Sequence, residues 1–598
     1  MALLRFLKKS GNKIKGIPVI RLLTAWCLTV DFLSPAVQPF NTLENTAKIR
    51  FPIFLLIFCL QILFLYLLHW TLKHKVPLPE RVILPAALGG YTVLTISQKK
   101  EFYYVLLLCC LWAILLQYYN RHGWLRFKKP FTKKKTVILI TVSTILFFGI
   151  VGGSGVLRYL TFHCPNFDFG IFSQMFYNMK HSLQPLTTCE RDRLLSHFAV
   201  HLSPILYLLL PVYSLFTSPI TLQLAQAAIL ASAVIPLSLL CRKFGLSYTR
   251  TAVMALILLC YPAVACGTNY DFHENCFLLP LLLWLFYAYE TRRLWMMALF
   301  AALVLMVKED AAIYIAFFAL YVFLNGKRYL QGSLLFVGAG AYFLCAVLFL
   351  TVRGEGVMIG RYDNFIVGDG TLLQAIKNVL VNPGYALLQM LMDGNGDSSP
   401  KILFILQMAV PLAFIPFGAK RPSRLLLLLP MLLINLLTLY VYQYDIGFQY
   451  SFGSTAFLFY LSVINVNEMK PQTGRMLLSI AGVAGIMLFF SLPFSRFTGY
   501  VKDYQVNIEK YRTIEQALQE IPSDGSVSCT TMLLAHICNR DTIYETHYHK
   551  PAENEKLDYI ILDARYDVDE PLENYQTLGY RIVRTVEHNG EKLLIILQ

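Results

Sequence analysis

The chain has 598 residues, 56% of them hydrophobic and 15% charged, a balance that excludes the soluble globular classes and belongs in a bilayer. Its net charge of +16 does not mark a nucleic-acid binder, because the Lys and Arg residues fall in short clusters between apolar segments, with no single stripe beside stacking aromatics. The 13 cysteines show no CxxC and no Cys/His ligand spacing, so no metal–thiolate site is read; Cys164 with Cys189, and Cys529 with Cys538, are either disulfide partners on an oxidising side or free thiols.

From the N-terminus, Arg5, Lys8, Lys9, Lys13 and Lys15 hold the start of the chain in the cytoplasm, and 17–37, 51–70, 79–97 and 101–120 read as four spans. The first is interrupted by Arg21 and Asp31, so an interfacial helix is its alternative; a secretory signal is another, but no small-residue cleavage site follows. Residues 121–135 (RHGWLRFKKPFTKKK) carry eight basic residues counting His122 and no acid, which marks a cytoplasmic loop and closes an N-terminal region 1–135. A span at 136–154 must then exit, leaving 155–218 as a large outer loop.

The later basic joints, Arg242/Lys243, Arg292/Arg293, Lys327/Arg328, Lys420/Arg421/Arg424 and Lys470/Arg475, belong to the cytoplasm by the same rule. Only one span, 219–241, therefore fits between 201 and 241, and 201–217 (HLSPILYLLLPVYSLFT) becomes a helix lying in or dipping into the outer interface, broken or tilted by Pro204 and Pro211. Spans follow near 249–265, 276–290, 294–307, 311–326, 331–351, 401–418, 423–441, 450–466 and 475–495, giving about fifteen in all and a second long outer segment, 352–400. The expected fold is an all-α polytopic membrane protein with a core over 136–495 and a small extracytoplasmic α/β domain over 496–598. That last domain is read from an amphipathic helix at 506–520, the turn Pro522-Ser-Asp-Gly525, strands near 526–529 and 541–545, DYIILD at 558–563 and a hairpin at Asn589-Gly590.

The outer loop holds the chemistry-bearing stretch, HCPNFDFGIFSQMFYN followed by CERDRLLSHFAVH. Asp168 sits between Phe167 and Phe169, and apolar neighbours keep a carboxylate partly desolvated and ready to accept a proton. A helix N-cap for 169–180 is the structural alternative, compatible with the first. Three clusters should converge on the same side: Tyr270-Asp271-Phe272-His273-Glu274; Lys308-Glu309-Asp310 in an apolar hairpin; and Gln449-Tyr450, preceded by Tyr444 and Asp445. Ionised groups at membrane depth default to functional hypotheses. Lys308 is either a point charge for a lipid phosphate or an ion-pair partner of Glu309 or Asp310. His273, His197 and His201 are candidates for phosphate or for a divalent metal held with Asp271 or Glu274, each with a structural role as its alternative. Arg353 and Arg361 are candidate phosphate contacts, and Asp393-Gly-Asn-Gly-Asp397 lacks the closing Glu of a calcium loop and reads as a flexible turn.

NFDFGIFSQMFYN, HLSPILYLLLPVYSLFTSPITL, YDFHEN, VKEDAA and the QYS start of a late span, in that order, resemble a bacterial membrane-protein family of unknown function, domain-of-unknown-function family 2079; the resemblance covers about 137–598. That family is in turn similar in layout to the C-type (GT-C) glycosyltransferases, such as protein mannosyltransferases and lipid A aminoarabinose transferases. The resemblance implies a polyprenyl-phosphate or pyrophosphate sugar donor, transfer with inversion to a glycan, lipid or protein acceptor outside the cytoplasm, and Asp168 as catalytic base. No second acid adjoins Asp168, so Asp192 and Asp271 are its substitutes; Lys308 and neighbouring basic groups would stabilise the departing phosphate. Some such transferases use Mg or Mn and others none. The competing classes are a transporter or flippase, which would string charges through the midplane in two repeat-like halves, and a non-enzymatic envelope scaffold.

Overall fold

The structure, a computed structural model, describes residues 17–37, 42–71, 79–98, 101–125, 129–368, 370–549 and 556–598. The basic N-terminal residues Arg5 to Lys15, and Arg126 and Lys128 of the anchor loop, lie outside the described residues. Among the described residues, seven helices are long and apolar enough to cross a membrane: Val19–Ala36, Phe51–Thr71, Phe102–Arg121, Lys133–Leu160, Pro219–Lys243, Tyr329–Arg353 and Pro471–Gln519. An eighth is added if the bent pair Tyr248–Leu259 and Pro262–Thr268 is one span, its 42° break falling at Pro262. This is a multi-pass membrane protein.

The number of long helices is below the fifteen expected because several apolar stretches are short or irregular. Leu294–Leu305 and Ala311–Gly326 are helices of 12 and 16 residues. The stretch read as a span at 423–441 is a 3-10 segment Pro422–Leu428 and a π segment Met431–Leu436 instead. Pro422 and Pro430 each remove a backbone donor there.

The chain divides into two compact units. The first takes the described residues up to Phe131 with Val410–Phe414 and Glu468–Leu492. Within it, Thr24 and Thr29 return their hydroxyls to the carbonyls of Ile20 and Ala25, 2.7 Å in each case, so these two hydroxyls are satisfied within the first helix.

The second unit holds Thr132–Ala409, Ile415–Asn467 and Pro493–Gln598. Three of its helices share a polarity: Pro219–Lys243 closes on Arg242 and Lys243, Leu278–Glu290 starts after Glu274 and stops before Arg292, and Ala311–Gly326 runs from Asp310 to Lys327. One end of the unit therefore collects the acidic and histidine clusters and the other the basic joints. The segment 201–217 is broken, as a 3-10 turn Pro204–Leu208 and a helix Leu210–Leu215, each with proline in its first turn.

Among its described residues the same unit carries seven strands: β1 Leu186–Thr187, β2 Leu195–Ser196, β3 Val527–Cys529, β4 Ile543–Glu545, β5 Tyr559–Asp563, β6 Ile582–His588 and β7 Glu591–Leu597. The last five form one sheet in the order β4-β3-β5-β7-β6, with β4, β3 and β5 parallel and β7 antiparallel to both neighbours. Asn589 and Gly590 both take positive φ, 51° and 82°, the conformation a two-residue hairpin turn requires. The helix expected at 506–520 is the second part of Pro493–Gln519, kinked at Asn507, so the sheet is reached through a helix. Cys164, Cys189, Cys529 and Cys538 are all buried free thiols.

Lys401 is fully buried and donates to three carbonyls, Gln389 at 2.7 Å, Leu436 at 2.6 Å and Thr438 at 3.0 Å. Gln389 and Leu436 end helical segments and Thr438 lies in the irregular chain that follows, so the ammonium stands in for amides these carbonyls lack. Lys401→Met should cost about 3 kcal/mol or more, because three buried acceptors lose their donor. A fall of several degrees in the thermal unfolding midpoint in detergent measures it; an unchanged midpoint contradicts this account.

Candidate functional site

The span Lys133–Leu160 brings Arg158 to its last turn, and the chain then enters a single π turn, Asn166–Gly170, ahead of helix Ile171–Ser182. Asp168 lies inside that π turn. The N-cap reading is thereby corrected: no side chain caps either the turn or the helix after it, and the helix starts two residues later than expected. Gly170 is required, since a Cβ there would lie 2.5 Å from Asn166 Oδ1 and 2.6 Å from a Leu534 methyl.

Arg158 is the residue around which the next layer is built. Its guanidinium donates to Asp271 Oδ1 at 2.9 Å and lies 5.2 Å over the Tyr270 ring. Asp271 is fully buried and also accepts from Gln223 Nε2 at 3.1 Å. Gln226 holds the rest of the turn, donating to the Asp271 carbonyl at 3.0 Å and accepting from the His273 amide at 3.0 Å. The Tyr270 hydroxyl, carried on the same turn, hydrogen-bonds Asp168.

Asp168 is half-buried. Burial, then the charges of Asp271 and Glu274, push its carboxyl up to about 7, against the opposing Tyr270 hydrogen bond and the charge of Lys308. A carboxylate with that balance is divided between its two protonation states at neutral pH, which suits proton transfer.

Lys308 pairs with Glu274, at 3.4 Å from Oε1, and neither sequence neighbour, Glu309 nor Asp310, is its ion-pair partner at that distance. Burial works to lower the Lys308 ammonium, but Glu274, Glu309 and Asp310 hold it above its ordinary value, so it stays charged. Glu274 also meets His273 Nδ1 at 3.1 Å. Glu309 accepts from His201 at 2.9 Å and from the Leu202 amide at 3.1 Å. Burial, followed by Lys308, drives both His201 and His273 well below the usual imidazole range, which leaves them neutral. His197 is different: burial lowers it, but Glu190 at 3.0 Å raises it above its ordinary value.

A cavity of about 510 Å³ opens beside this cluster. His201, Lys308, Glu309, Asp310, Arg361, Tyr362 and Gln443 line one part of it, and the remainder is apolar, including Ile313, Phe317, Phe343, Phe365, Ile376 and Leu437. The Arg361 guanidinium stands 4.5 Å over the Tyr440 ring and 5.5 Å over the Tyr450 ring. Its carbonyl is fixed by the Leu439 amide and the Thr438 hydroxyl, the same strand of chain that Lys401 ties down.

Of the residues singled out in the sequence, Asp168, Tyr270, Asp271, His273, Glu274, Lys308, Glu309, Asp310, His201, His197, Arg361 and Tyr450 come together in one cluster. The Tyr450 ring lies 6.3 Å from the His273 ring. Gln449 is buried beside Tyr450 with its Oε1 unpartnered. Arg353 does not join them; it is exposed at the end of Tyr329–Arg353. Asp192 does not either: it takes a positive φ and accepts from His549 at 2.6 Å. In Asp393–Asp397, the Asp393 carboxylate accepts from the amides of Asn395 and Asp397, an ordered turn held by its own backbone.

Among the described residues, no group of three or more His, Cys, Asp or Glu side chains is arranged to hold a metal ion. Asp271 gives Oδ1 to Arg158, and His197, His201 and His273 each meet one carboxylate, Glu190, Glu309 and Glu274. Arg158, Gln223 and Gln226 were not found from the sequence. A basic residue at the far end of a span that starts in a cytoplasmic anchor violates the charge rule, and that violation was the available signal.

The sequence profile of a family described as predicted membrane protein (DUF2079) matches residues 158–590. No curated protein matches significantly. Among solved structures, the chain is similar to ArnT from Cupriavidus metallidurans bound to undecaprenyl phosphate, with 11% identity, a TM-score of 0.47, and coverage of 78% of this chain and 98% of that one. It is also similar to the Archaeoglobus fulgidus oligosaccharyltransferase tethered with an acceptor peptide, with 11% identity, a TM-score of 0.39, and coverage of 73% and 70%.

Removing one partner of the buried Arg158–Asp271 pair strands the other charge. Arg158→Met should destabilise the protein by about 3–5 kcal/mol, and a double variant with Asp271→Leu should recover part of that loss. Thermal unfolding of the two variants in parallel is the check, and a double variant no better than the sum of its parts argues against the pairing.

Proposed function

The chain belongs to the DUF2079 family of predicted membrane proteins, and from the geometry of its site we propose that it is a membrane glycosyltransferase of GT-C type. In this reading a polyprenyl-phosphate or pyrophosphate sugar is the donor, and the sugar passes with inversion to a hydroxyl of a glycan, lipid or protein acceptor outside the cytoplasm. The observation that carries it is the two-part cavity: cationic side chains at one end, apolar walls along the rest, and a carboxylate poised near 7 in the same electrostatic cluster. An amphiphile with a phosphate head and a prenyl tail matches that division.

Lys308 and Arg361 would meet the phosphate, Lys308 as a point charge held by Glu274 and Arg361 as a fork braced on two tyrosines. Neutral His201 adds a hydrogen-bonding group rather than charge. The acceptor hydroxyl would give its proton to Asp168 as its oxygen bonds to the sugar's anomeric carbon from the face opposite the phosphate. The bond from that carbon to the phosphate oxygen then breaks, and the leaving phosphate keeps the electron pair, stabilised by the two cations. The location of the site outside the cytoplasm rests on the basic joints gathered at the far ends of the same helices.

The test is transfer by the purified protein from polyprenyl-phosphate sugars. Asp168→Asn should lose roughly 10²- to 10⁴-fold in turnover, with donor binding retained, while Lys308→Met and Arg361→Met should weaken donor binding instead. Undiminished turnover by Asp168→Asn removes the base from the mechanism.

Turnover should also rise with pH through about 7 as Asp168 ionises. Tyr270→Phe deletes a hydrogen bond that favours the ionised form, so the rise should move to higher pH. A profile flat from pH 5 to 9 in wild type would contradict the assignment.

A further inference from the structure

The π turn that carries Asp168 is gripped at three of its other four residues by the C-terminal sheet and its loops. The Asn166 amide donates to Thr531 Oγ1 at 2.9 Å, and Asn166 Nδ2 donates to Glu545 Oε2 at 2.9 Å. Phe167 meets Tyr548 edge to face at 6.0 Å between ring centres. Gly170 lies so close to Leu534 that no side chain fits between them. Asn166 and Glu545 are both buried, 3% and 5% exposed.

The gripping residues share an origin. Thr531 follows the end of β3, Glu545 is the last residue of β4, and Tyr548 lies three residues beyond it. In open α/β sheets, the carboxyl ends of parallel strands are where ligands bind. Here that edge is filled by residues 166–170 of the same chain.

Neighbouring contacts make the grip rigid. Thr188 Oγ1 donates to the Ile543 carbonyl at 2.6 Å and accepts from its amide at 3.0 Å, and Gln174 Nε2 donates to the Asp541 carbonyl at 3.1 Å. His536 is stacked between Tyr159 and Phe162, with ring centres at 4.0 and 3.8 Å, at the entry to the loop. Phe162, Ile171 and Cys189 belong to the same apolar core as Val527, Leu534 and Ile561.

We propose that the C-terminal sheet is the positioning element of the catalytic carboxylate, with Asn166, Glu545 and Thr531 as positioning residues that set where Asp168 stands relative to Tyr270 and Lys308. This rests on Asp168 as the base. The sheet touches the turn through residues 166, 167 and 170, and none of its residues lines the donor cavity. Its loosening therefore acts on turnover and on the protonation of Asp168, and leaves donor binding alone.

The experiment uses the full chain in lipid nanodiscs with a polyprenyl-phosphate sugar as donor. Glu545→Ala should lower kcat at least tenfold with donor affinity within twofold of wild type, and should move the rise of activity below pH 7 as water reaches the freed turn. Glu545→Gln keeps an acceptor oxygen for Asn166 Nδ2 and should restore kcat to within about threefold. Thr531→Val, a smaller lesion, should fall between them. Hydrogen exchange of amides 166–171, read without any turnover, should quicken in Glu545→Ala and not in Glu545→Gln. Loss of activity in Asp168→Asn together with wild-type turnover, pH profile and exchange in Glu545→Ala overturns the positioning role alone. A kcat loss in Glu545→Ala that Gln does not rescue and that leaves the pH profile in place also overturns it, as general destabilisation. Full activity in Asp168→Asn overturns the base assignment instead.

Discussion

Arg158 and Asp271 meet in a setting where neither charge can be left alone. A buried carboxylate without a partner costs several kcal/mol, and so does a guanidinium. Their pairing obliges the end of the Lys133–Leu160 span to sit against the turn at 270–275, where Gln223 adds a second donor to Asp271 Oδ1 and Gln226 holds the Asp271 carbonyl and the His273 amide. Once the pair is made, Tyr270 is delivered to Asp168 and Glu274 to Lys308. The rest of the cluster follows from satisfying these groups in turn: His273 on Glu274, His201 on Glu309, His197 on Glu190.

The cluster separates two kinds of electrostatics. Carboxylates crowd Asp168 and raise it, whereas at Lys308 they outweigh burial and preserve the positive charge. The histidines, buried beside that cation, stay neutral. One end of an apolar-lined cavity thus sets Lys308 and Arg361 beside Glu309 and Asp310, while the nearby Asp168 carboxyl is raised to about 7. Both conditions depend on exclusion of water, since the same charges at the surface would be screened and would shift little.

Much of the membrane core was legible because its signal is compositional. Phe51–Thr71, Phe102–Arg121 and Tyr329–Arg353 stand within a few residues of the segments read at 51–70, 101–120 and 331–351, since long apolar runs leave few alternatives. The strands at 527–529, 543–545 and 559–563 were equally visible from their turn residues and β-branched runs. The stretch 423–441 was misread because hydropathy measures side chains, and what breaks the helix there is a pair of prolines. Lys308 was paired with the wrong acids because sequence neighbours on a turn point apart, whereas Glu274, 34 positions earlier, comes from an adjacent hairpin. Arg158, a basic residue at the outer end of a span, broke the charge rule, but the buried acid that explains it lies 113 positions away in the chain.

The sequence by itself determined that this chain lives in a membrane, where its basic joints lie, and that one stretch around Asp168 concentrates polar chemistry between apolar flanks. These are local properties, set by transfer free energies residue by residue. Only the tertiary structure decided which acid is tied to Arg158 and which is raised by its neighbours to about 7, that Asp192 and Arg353 stand apart, and that the strand ends of residues 527–548 hold the Asp168 turn. Those outcomes depend on which charges and hydrogen-bonding groups are buried together, a property of pairs distant in the chain that no single segment carries.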